Sequence, residues 1–171
     1  MPTRITVLAL GALLLASPGT ALAQRLQLDS LNRLAALAEE SVNIDLDPAL
    51  LRFALPFLNG QGDEKQIKAM LSELKGIYVR VFEFNQDVDL SSELTAIRKQ
   101  LSAPWTRLVG VDSKRDRELV EIYSWREGDA SGGLAIIAAE ANELTIVNIV
   151  GPFDITKLPA LKGLGVPDLP R

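Results

Sequence analysis

The 171-residue chain contains no cysteine and no histidine. Without cysteine it forms no disulfide, and without both residue types it cannot build the Cys/His sites that hold zinc. The Ser-His-Asp and Cys-His catalytic arrangements are excluded for the same reason. Any catalysis would therefore have to rely on carboxylates, hydroxyl groups, Lys or Arg.

Motifs for cofactors and metals are also missing. The chain has no glycine-rich loop of the dinucleotide-binding type and no P-loop. The run Asn85-Gln86-Asp87-Val88-Asp89 places oxygen ligands at alternate positions, but Leu90 and Ala96 stand where an EF-hand needs Gly and Glu. Acids at this point are better explained by the start of the following helix, which favours negative charge. We therefore expect no cofactor and no metal ion.

The chain has no excess of basic charge. Its 18 Lys and Arg residues against 22 Asp and Glu residues give a net charge of −4. Nucleic-acid binding needs a basic face, and an anionic membrane surface attracts polybasic stretches, so neither partner is expected. After the N-terminal segment, no apolar run approaches the roughly 20 residues that a spanning helix needs. We expect no transmembrane helix in the mature chain.

Residues 1–23 have the order of parts that defines a signal peptide. Arg4 supplies the positive charge, Ile5–Ala16 the apolar run, Pro18-Gly19 the break, and Ala21-Leu22-Ala23 the small-x-small cleavage pattern. The alternative is an ordinary buried helix. We expect cleavage after Ala23 and a periplasmic or secreted mature chain that starts at Gln24. Because no cysteine follows the cleavage site, we expect no lipid anchor.

The first half of the mature chain mixes helical and extended patterns. Leucines at helical spacing (Leu28, Leu31 and Leu34) predict a first helix over Gln24–Val42. Next come strand Val42–Leu46, a helix capped by Asp47 before Pro48, loop Asn59–Gly62, a helix from Asp63 to Leu74 ended by Gly76, strand Ile77–Phe84 and helix Ser91–Leu101.

The second half of the chain predicts two consecutive hairpins. Their strands are Trp105–Asp112 with Glu118–Arg126, and Gly132–Glu140 with Glu143–Val150 around an Ala141-Asn142 loop in which Asn tolerates positive φ. A short helix from Asp154 or Thr156 through Leu161 and a loosely ordered tail over 163–171 follow. Adjacent hairpins favour an α+β fold: one domain over 24–162 with a C-terminal four-strand antiparallel meander, strand 77–84 beside it, Val42–Leu46 at an edge, and helices packed on the sheet.

The first hairpin supplies the candidate binding residues. Pairing Trp105 with Trp125, Arg107 with Tyr123 and Val109 with Glu121 leaves Leu108, Val120 and Ile122 on the opposite, core side. One face then carries aromatic and charged side chains typical of binding surfaces: Trp105, Arg107, Glu121, Tyr123 and Trp125. We interpret this face as a site for a protein partner. The alternative is a face covered by the N-terminal helices, with only its polar tips in water.

The second hairpin is apolar on both faces. Leu134, Ile136, Val147 and Ile149 point one way, and Ile137, Leu144 and Ile146 point the other way with Ala135, Ala139 and Asn148. Such strands lie centrally in a sheet covered twice, or become covered by dimerisation. In a third interpretation the small residues line a pocket for an apolar ligand.

Several segments resemble the domain of unknown function family 4252. They are Glu143–Gly151 with Phe153-Asp154-Ile155 and the Leu158/Leu161 pair, the strand Val79–Glu83, and Trp105-x-x-Leu108-Val109. The likeness extends from about Leu26 to Leu161. It implies a small exported bacterial domain with no established activity. Many members resemble lipoproteins, and this chain departs from them because it has no cysteine.

These observations favour an exported, non-catalytic interaction module that binds an unknown envelope protein and that can form homo-oligomers. One alternative is a carrier or sensor of a small apolar ligand. A second alternative is a carboxylate-based hydrolase, for which the available acids are Glu83, Asp87 and Glu121. We expect the chain not to be an enzyme.

Overall fold

A computed structural model describes residues 24–57, 63–127 and 130–153. Within these residues six strands form one antiparallel sheet: β1 (Glu40–Leu46), β2 (Gly76–Glu83), β3 (Trp105–Ser113), β4 (Glu118–Glu127), β5 (Ala130–Ala139) and β6 (Glu143–Val150). The helices are α1 (Asn32–Ala35), α2 (Pro48–Ala54), α3 (Asp63–Glu73) and α4 (Ser91–Gln100). The predicted signal peptide, the loop Asn59–Gly62, the helix after Asp154 and the tail 163–171 lie outside the described residues.

The strands are arranged in the order β1-β2-β6-β5-β4-β3. Strands β3 to β6 form a meander, since each pairs with the next along the chain. Strand β2 pairs with β6 and carries β1 at the outer edge. The α+β prediction, the meander and the edge position of the Val42–Leu46 strand are therefore confirmed.

Both faces of the sheet are covered. We call the first face A. On it, leucines of the N-terminal segment (residues 24–34) and Ile97 of α4 pack against the sheet. The buried side chains of the sheet on this face include Tyr78, Phe82, Trp105, Tyr123, Trp125, Ile137 and Ile146. On the opposite face B, Leu51 of α2 and Met70, Leu71 and Leu74 pack against Ile77, Val79, Val120, Ile122, Leu134, Ile136, Val147 and Ile149. Strands β5 and β6 are thus buried on both sides, as in the central-strand interpretation.

The predicted helix over Gln24–Val42 is wrong in extent. The structure has a 3₁₀ turn at Asp29–Leu31 followed by the single-turn helix α1, and strand β1 begins at Glu40. The leucine spacing is nevertheless meaningful, because Leu28, Leu31 and Leu34 are all buried on face A. From Glu39 onward the chain pairs with β2 instead of continuing as a helix. This pairing begins where Glu39 N donates to Glu83 O at 2.8 Å. Tertiary hydrogen bonds override a weak local helix preference.

One helix end follows local rules and the next does not. Asp47 caps α2, as predicted, because Asp47 Oδ1 accepts from the N–H groups of Ala49 and Leu50 at 2.8 Å each. Helix α3 ends at Glu73, and Gly76 is the first residue of β2 rather than a helix-terminating glycine. A Cβ at Gly76 would lie 2.7 Å from the Tyr78 side chain, so a larger residue there would have to displace the Tyr78 ring.

The first hairpin contains a bulge that changes its register. Trp105 lies opposite Trp125 and Arg107 opposite Tyr123, as predicted. The register then shifts between Arg107 and Val109, so Gly110 rather than Val109 lies opposite Glu121. A bulge inserts one unpaired residue in a strand. Leu108 is that residue, and it is 42% exposed rather than part of the core with Val120 and Ile122.

The second hairpin has the short loop that was predicted, without the predicted backbone feature. Glu140 N donates to Glu143 O at 2.9 Å across Ala141-Asn142. Among the described non-glycine residues only Arg117, in the turn of the first hairpin, has a positive φ, at 55°. Asn142 therefore closes its turn without using the left-handed region.

None of the helices in the described part of the chain combines the length and the apolar character needed to cross a membrane.

Candidate functional site

The five predicted binding residues come together on face A, but four of them, all except Arg107, are buried. Trp105, Tyr123 and Trp125 are 6%, 8% and 8% exposed, and they pack beneath the N-terminal segment. The two tryptophan rings meet edge to face, with centroids 5.5 Å apart. Arg107 is the member that reaches solvent, with 57% of its side chain exposed. This placement matches the alternative in which the face is covered and only its polar tips reach water.

Glu121 is the buried centre of an ionic network on that face. Its side chain is 6% exposed; Arg98 Nε donates to Oε2 at 2.9 Å and Arg107 Nη1 to Oε1 at 3.2 Å. The Tyr123 hydroxyl also donates to Oε2, at 3.3 Å. A buried carboxylate is tolerated when cations and hydrogen bonds compensate it. Both oxygens are thereby occupied, and the network ties α4 to the sheet.

The same network perturbs its neighbours. Burial raises the pKa of Tyr123, and the charge of Glu121 and the hydrogen bond to it raise the pKa further. The hydrogen bond to Glu121 raises the pKa of Arg98. Tyr123 thus stays a neutral donor and Arg98 stays a cation at physiological pH. These roles are structural, because each group is directed at another protein group.

The remaining candidate acids do not join Glu121. Asp87 Oδ2 is 2.8 Å from Arg117 Nη2, and Glu83 lies exposed at the end of β2. Asp89 accepts from the Ser91 N–H at 3.0 Å, which lowers the pKa of Asp89. No three acids of the described residues are grouped so that they could hold a metal ion.

Sequence reasoning missed a second buried acid, Glu93. Arg33 Nε and Nη2 donate to its Oε1 at 2.8 and 2.6 Å, and the Ser92 hydroxyl donates to Oε2 at 2.7 Å. Burial acts to raise the pKa of Glu93, but the bonds from Ser92 and Arg33 outweigh it and the pKa is lowered. The pair fastens α1 to α4. Its only sequence signal is an acid in the first turn of a predicted helix.

A partly open cleft of about 420 Å³ lies between the N-terminal segment and β2. It is lined by Arg25, Leu26, Gln27, Leu28, Asp29, Tyr78 and Arg80. The Arg25 guanidinium lies 4.2 Å from the Tyr78 ring centroid, and Asp45 of β1 binds Arg80 through two hydrogen bonds of 2.7 and 3.0 Å. The lining is largely polar. The small residues Ala135 and Ala139 are instead packed in the core, so they do not line a pocket for an apolar ligand.

The two edges of the sheet differ. All seven residues of β1 are exposed or half-buried and pair with β2 in an uninterrupted register. On the opposite edge, β3 is broken by the bulge at Leu108. Residues 38–47 contain four acids (Glu39, Glu40, Asp45 and Asp47) and no Lys or Arg. The sequence predicts the β1 strand but not that its outer edge is the regular one.

These features define a class of protein: an α+β domain with one antiparallel sheet covered on both faces and, in the described residues, no grouped metal ligands. The comparison with family models identifies the particular family. Residues 38–161, more than half of the chain, match the family "Domain of unknown function (DUF4252)", and the chain belongs to this family. The match begins at Ala38, later than the resemblance from Leu26 suggests. No curated protein and no solved structure matches the chain.

Proposed function

We propose that this protein is an exported, non-catalytic domain that binds an extended segment of a partner protein along the free edge of β1. The observation that carries the proposal is the difference between the two sheet edges. Strand β1 is regular and accessible over seven residues, whereas the other edge is interrupted at Leu108.

An accessible edge strand is a template for pairing. Its outward N–H and C=O groups have no partner in the sheet, and an extended peptide can satisfy them by adding as a further strand. Main-chain hydrogen bonds then provide affinity, while alternate side chains provide specificity. A bulge is one of the ways in which proteins protect an edge from such pairing, so the β3 edge is the less favourable site.

The charge on β1 favours a basic partner over a second copy of this chain. Two β1 strands paired with each other would bring Glu39 and Glu40 close to the acids of the other copy, and like charges across strands are destabilising. Asp45 is already paired with Arg80, which leaves Glu39 and Glu40 as exposed acids without an ion pair among the described residues. A partner segment with Lys or Arg would complement them.

The cleft adjoins this edge. Asp45 of β1 binds Arg80, and Arg80 lines the cleft. An added strand lies about 4.8 Å beyond β1, so a long side chain on its face A side can extend toward the cleft. Leu26 and Leu28 are buried, and the ring of Tyr78 is stacked by Arg25, so the accessible lining is polar and a polar side chain fits it best.

Export and lack of catalysis are supported by different observations. The order of parts in residues 1–23 supports export, with the periplasm or the exterior as the place of action. The lack of Cys and His, and the pairing of Glu121 with two arginines, support a role without catalysis.

The test places a photo-reactive amino acid at Asn43 of β1 or at Arg107, the exposed member of the sequence-predicted set. Cross-linking in intact cells should capture one partner through position 43. A variant with Glu39→Lys and Glu40→Lys should reduce that product at least about tenfold, since it reverses two charges at the interface. A matched variant, Asp112→Lys with Glu140→Lys, carries the same charge change on exposed acids elsewhere and should not.

Capture through position 107 alone, or equal yield from both charge variants, would reject the β1 edge. Trp125→Ala is unsuitable as a control, because Trp125 is buried and its loss would disturb the core.

A further inference from the structure

The first residue of the predicted mature chain is buried and specifically held. Gln24 is 7% exposed, and its side-chain Oε1 accepts from Gly151 N at 3.0 Å. Its backbone O accepts from Asn148 Nδ2 at 3.1 Å. Asn148, which is fully buried, also accepts from Leu26 N at 2.9 Å. A buried glutamine whose side-chain and backbone polar groups are both paired marks a defined site.

Glycines give this site its shape. A Cβ at Gly132 would lie 2.7 Å from Gln24 Nε2, and a Cβ at Gly133 would lie 3.4 Å from Gln24 Oε1 and 2.9 Å from Ile149 O. Gly151, whose N–H binds the glutamine, has a φ of +111° that side-chain-bearing residues rarely adopt. We call Gly132, Gly133, Asn148 and Gly151 the Gln24 socket.

The identity of residue 24 matters for its chemistry after cleavage. A free N-terminal glutamine can cyclise: its α-amino nitrogen attacks its own Cδ, the N–Cδ bond forms, the Cδ–Nε2 bond breaks, and Nε2 leaves as ammonia. The reaction needs no other reactant. It does require the carboxamide to fold back onto the α-amino group, and it removes the side-chain amide as a separate group.

We propose that the Gln24 socket is the docking site for the N-terminal glutamine of the processed chain and that docking prevents its cyclisation to pyroglutamate. The inference rests on the cleavage after Ala23 that the proposed function includes. In the socket the carboxamide is held by Gly151, while the backbone carbonyl is held by Asn148. To fold back onto the α-amino group, the carboxamide must leave its contact with Gly151. The mature protein therefore keeps a free α-amino group, and the N-terminal segment stays fixed over face A.

The test uses residues 24–171 released from a fusion by a protease that cuts immediately before Gln24, so its outcome does not depend on the signal peptidase or on a partner. Loss of ammonia is followed by intact mass spectrometry at neutral pH. In the folded protein, cyclisation should be at least about tenfold slower than in the same chain unfolded in urea, because the buried hydrogen bond from Gly151 N to Gln24 Oε1 holds the carboxamide away from the α-amino group. Equal rates in the folded and unfolded chains would overturn the proposal.

A variant locates the protection in the socket. Gly132→Ala places a methyl group 2.7 Å from both Gln24 Nε2 and Trp125 Cδ1, and in a variant that stays folded it should displace the glutamine and accelerate cyclisation. The matched control Gly110→Ala meets the exposed Arg107 side chain at 3.3 Å and should cyclise as slowly as wild type. Circular dichroism checks that each variant is folded. An unchanged rate in a folded Gly132→Ala variant would contradict the proposal, and if this variant does not fold, the wild-type comparison alone decides.

Discussion

Asn148 holds the backbone of Gln24 although the two residues are 124 positions apart in the chain. Its amide donates to Gln24 O and to Leu134 O, and its Oδ1 accepts from Leu26 N, so one buried side chain joins the N-terminal segment to the centre of the sheet. This contact places the leucines of the segment over the aromatic residues of face A. The covered state of that face therefore depends on a polar residue in β6.

Replacing Asn148 with Ala should destabilise the domain by about 2–4 kcal/mol. The change leaves a buried N–H at Leu26 and a buried carbonyl at Gln24 without partners, and each such group costs about 1–3 kcal/mol. Urea denaturation followed by circular dichroism measures the loss. The control Asn43→Ala, on exposed β1, should change stability by less than about 0.5 kcal/mol. Similar values for the two variants would contradict the role assigned to Asn148.

Stability should fall in acid partly because of Glu93. Its pKa is lowered in the folded state below the usual 4.5, so the unfolded state binds the proton more readily. The contribution of Glu93 is therefore fully present above about pH 4.5 and is lost as the pH falls through the folded-state pKa. Urea midpoints between pH 7 and pH 3 should fall less steeply for Glu93→Gln than for wild type. Arg33→Ala should also flatten the profile, whereas an unchanged slope in both variants would exclude this pair as the cause.

Leu108 should tolerate a polar residue, because the bulge places it outside the core. Leu108→Ser is expected to change the free energy of unfolding by less than about 0.5 kcal/mol. In contrast, Ile122→Ala, at a fully buried position of the neighbouring strand, should cost about 2–5 kcal/mol. Thermal or urea unfolding of both variants provides the comparison. A large loss in Leu108→Ser would mean that the register continues without a bulge.

Chelation should leave the melting temperature unchanged. Asp87 is paired with Arg117 and Asp89 with the Ser91 N–H, so the two acids of the turn are directed at protein groups. A bound ion would stabilise the native state by mass action, and its removal would lower the melting temperature. A drop of several degrees in EDTA that calcium restores, and that Asp87→Asn abolishes, would identify a calcium site in this turn.

Local signals were sufficient for many elements of the fold. The strands of both hairpins follow from β-branched and apolar residues bounded by turn residues, signals that act within a few positions of each other. The cap at Asp47 likewise depends only on the next three residues. The pairing of Trp105 with Trp125 and of Arg107 with Tyr123 matches the prediction because the bulge at Leu108 offsets a one-residue register error next to the turn.

The candidate binding residues were placed on one face correctly, but their exposure could not be predicted. Whether Trp105 and Trp125 are exposed to solvent depends on the path of the N-terminal segment. The helical spacing of its leucines predicts one long helix, which the structure does not have. The structure has no regular secondary structure over Leu26–Leu28, where Asn148 and Gln100 bind the backbone. Those partners lie 73 or more positions away, beyond the reach of any local pattern.

The sequence by itself thus predicted an export signal and determined the classes of chemistry excluded by missing Cys and His and the order of strands in the meander, because each depends on composition or on neighbours in the chain. Only the tertiary structure decided the bulge at Leu108, the burial of the aromatic face, the regular free edge of β1 and the socket for Gln24. These features arise where distant segments compete for the same hydrogen bonds and the same apolar surface. Which segment forms those contacts depends on the packing of the complete domain and not on any short stretch of residues.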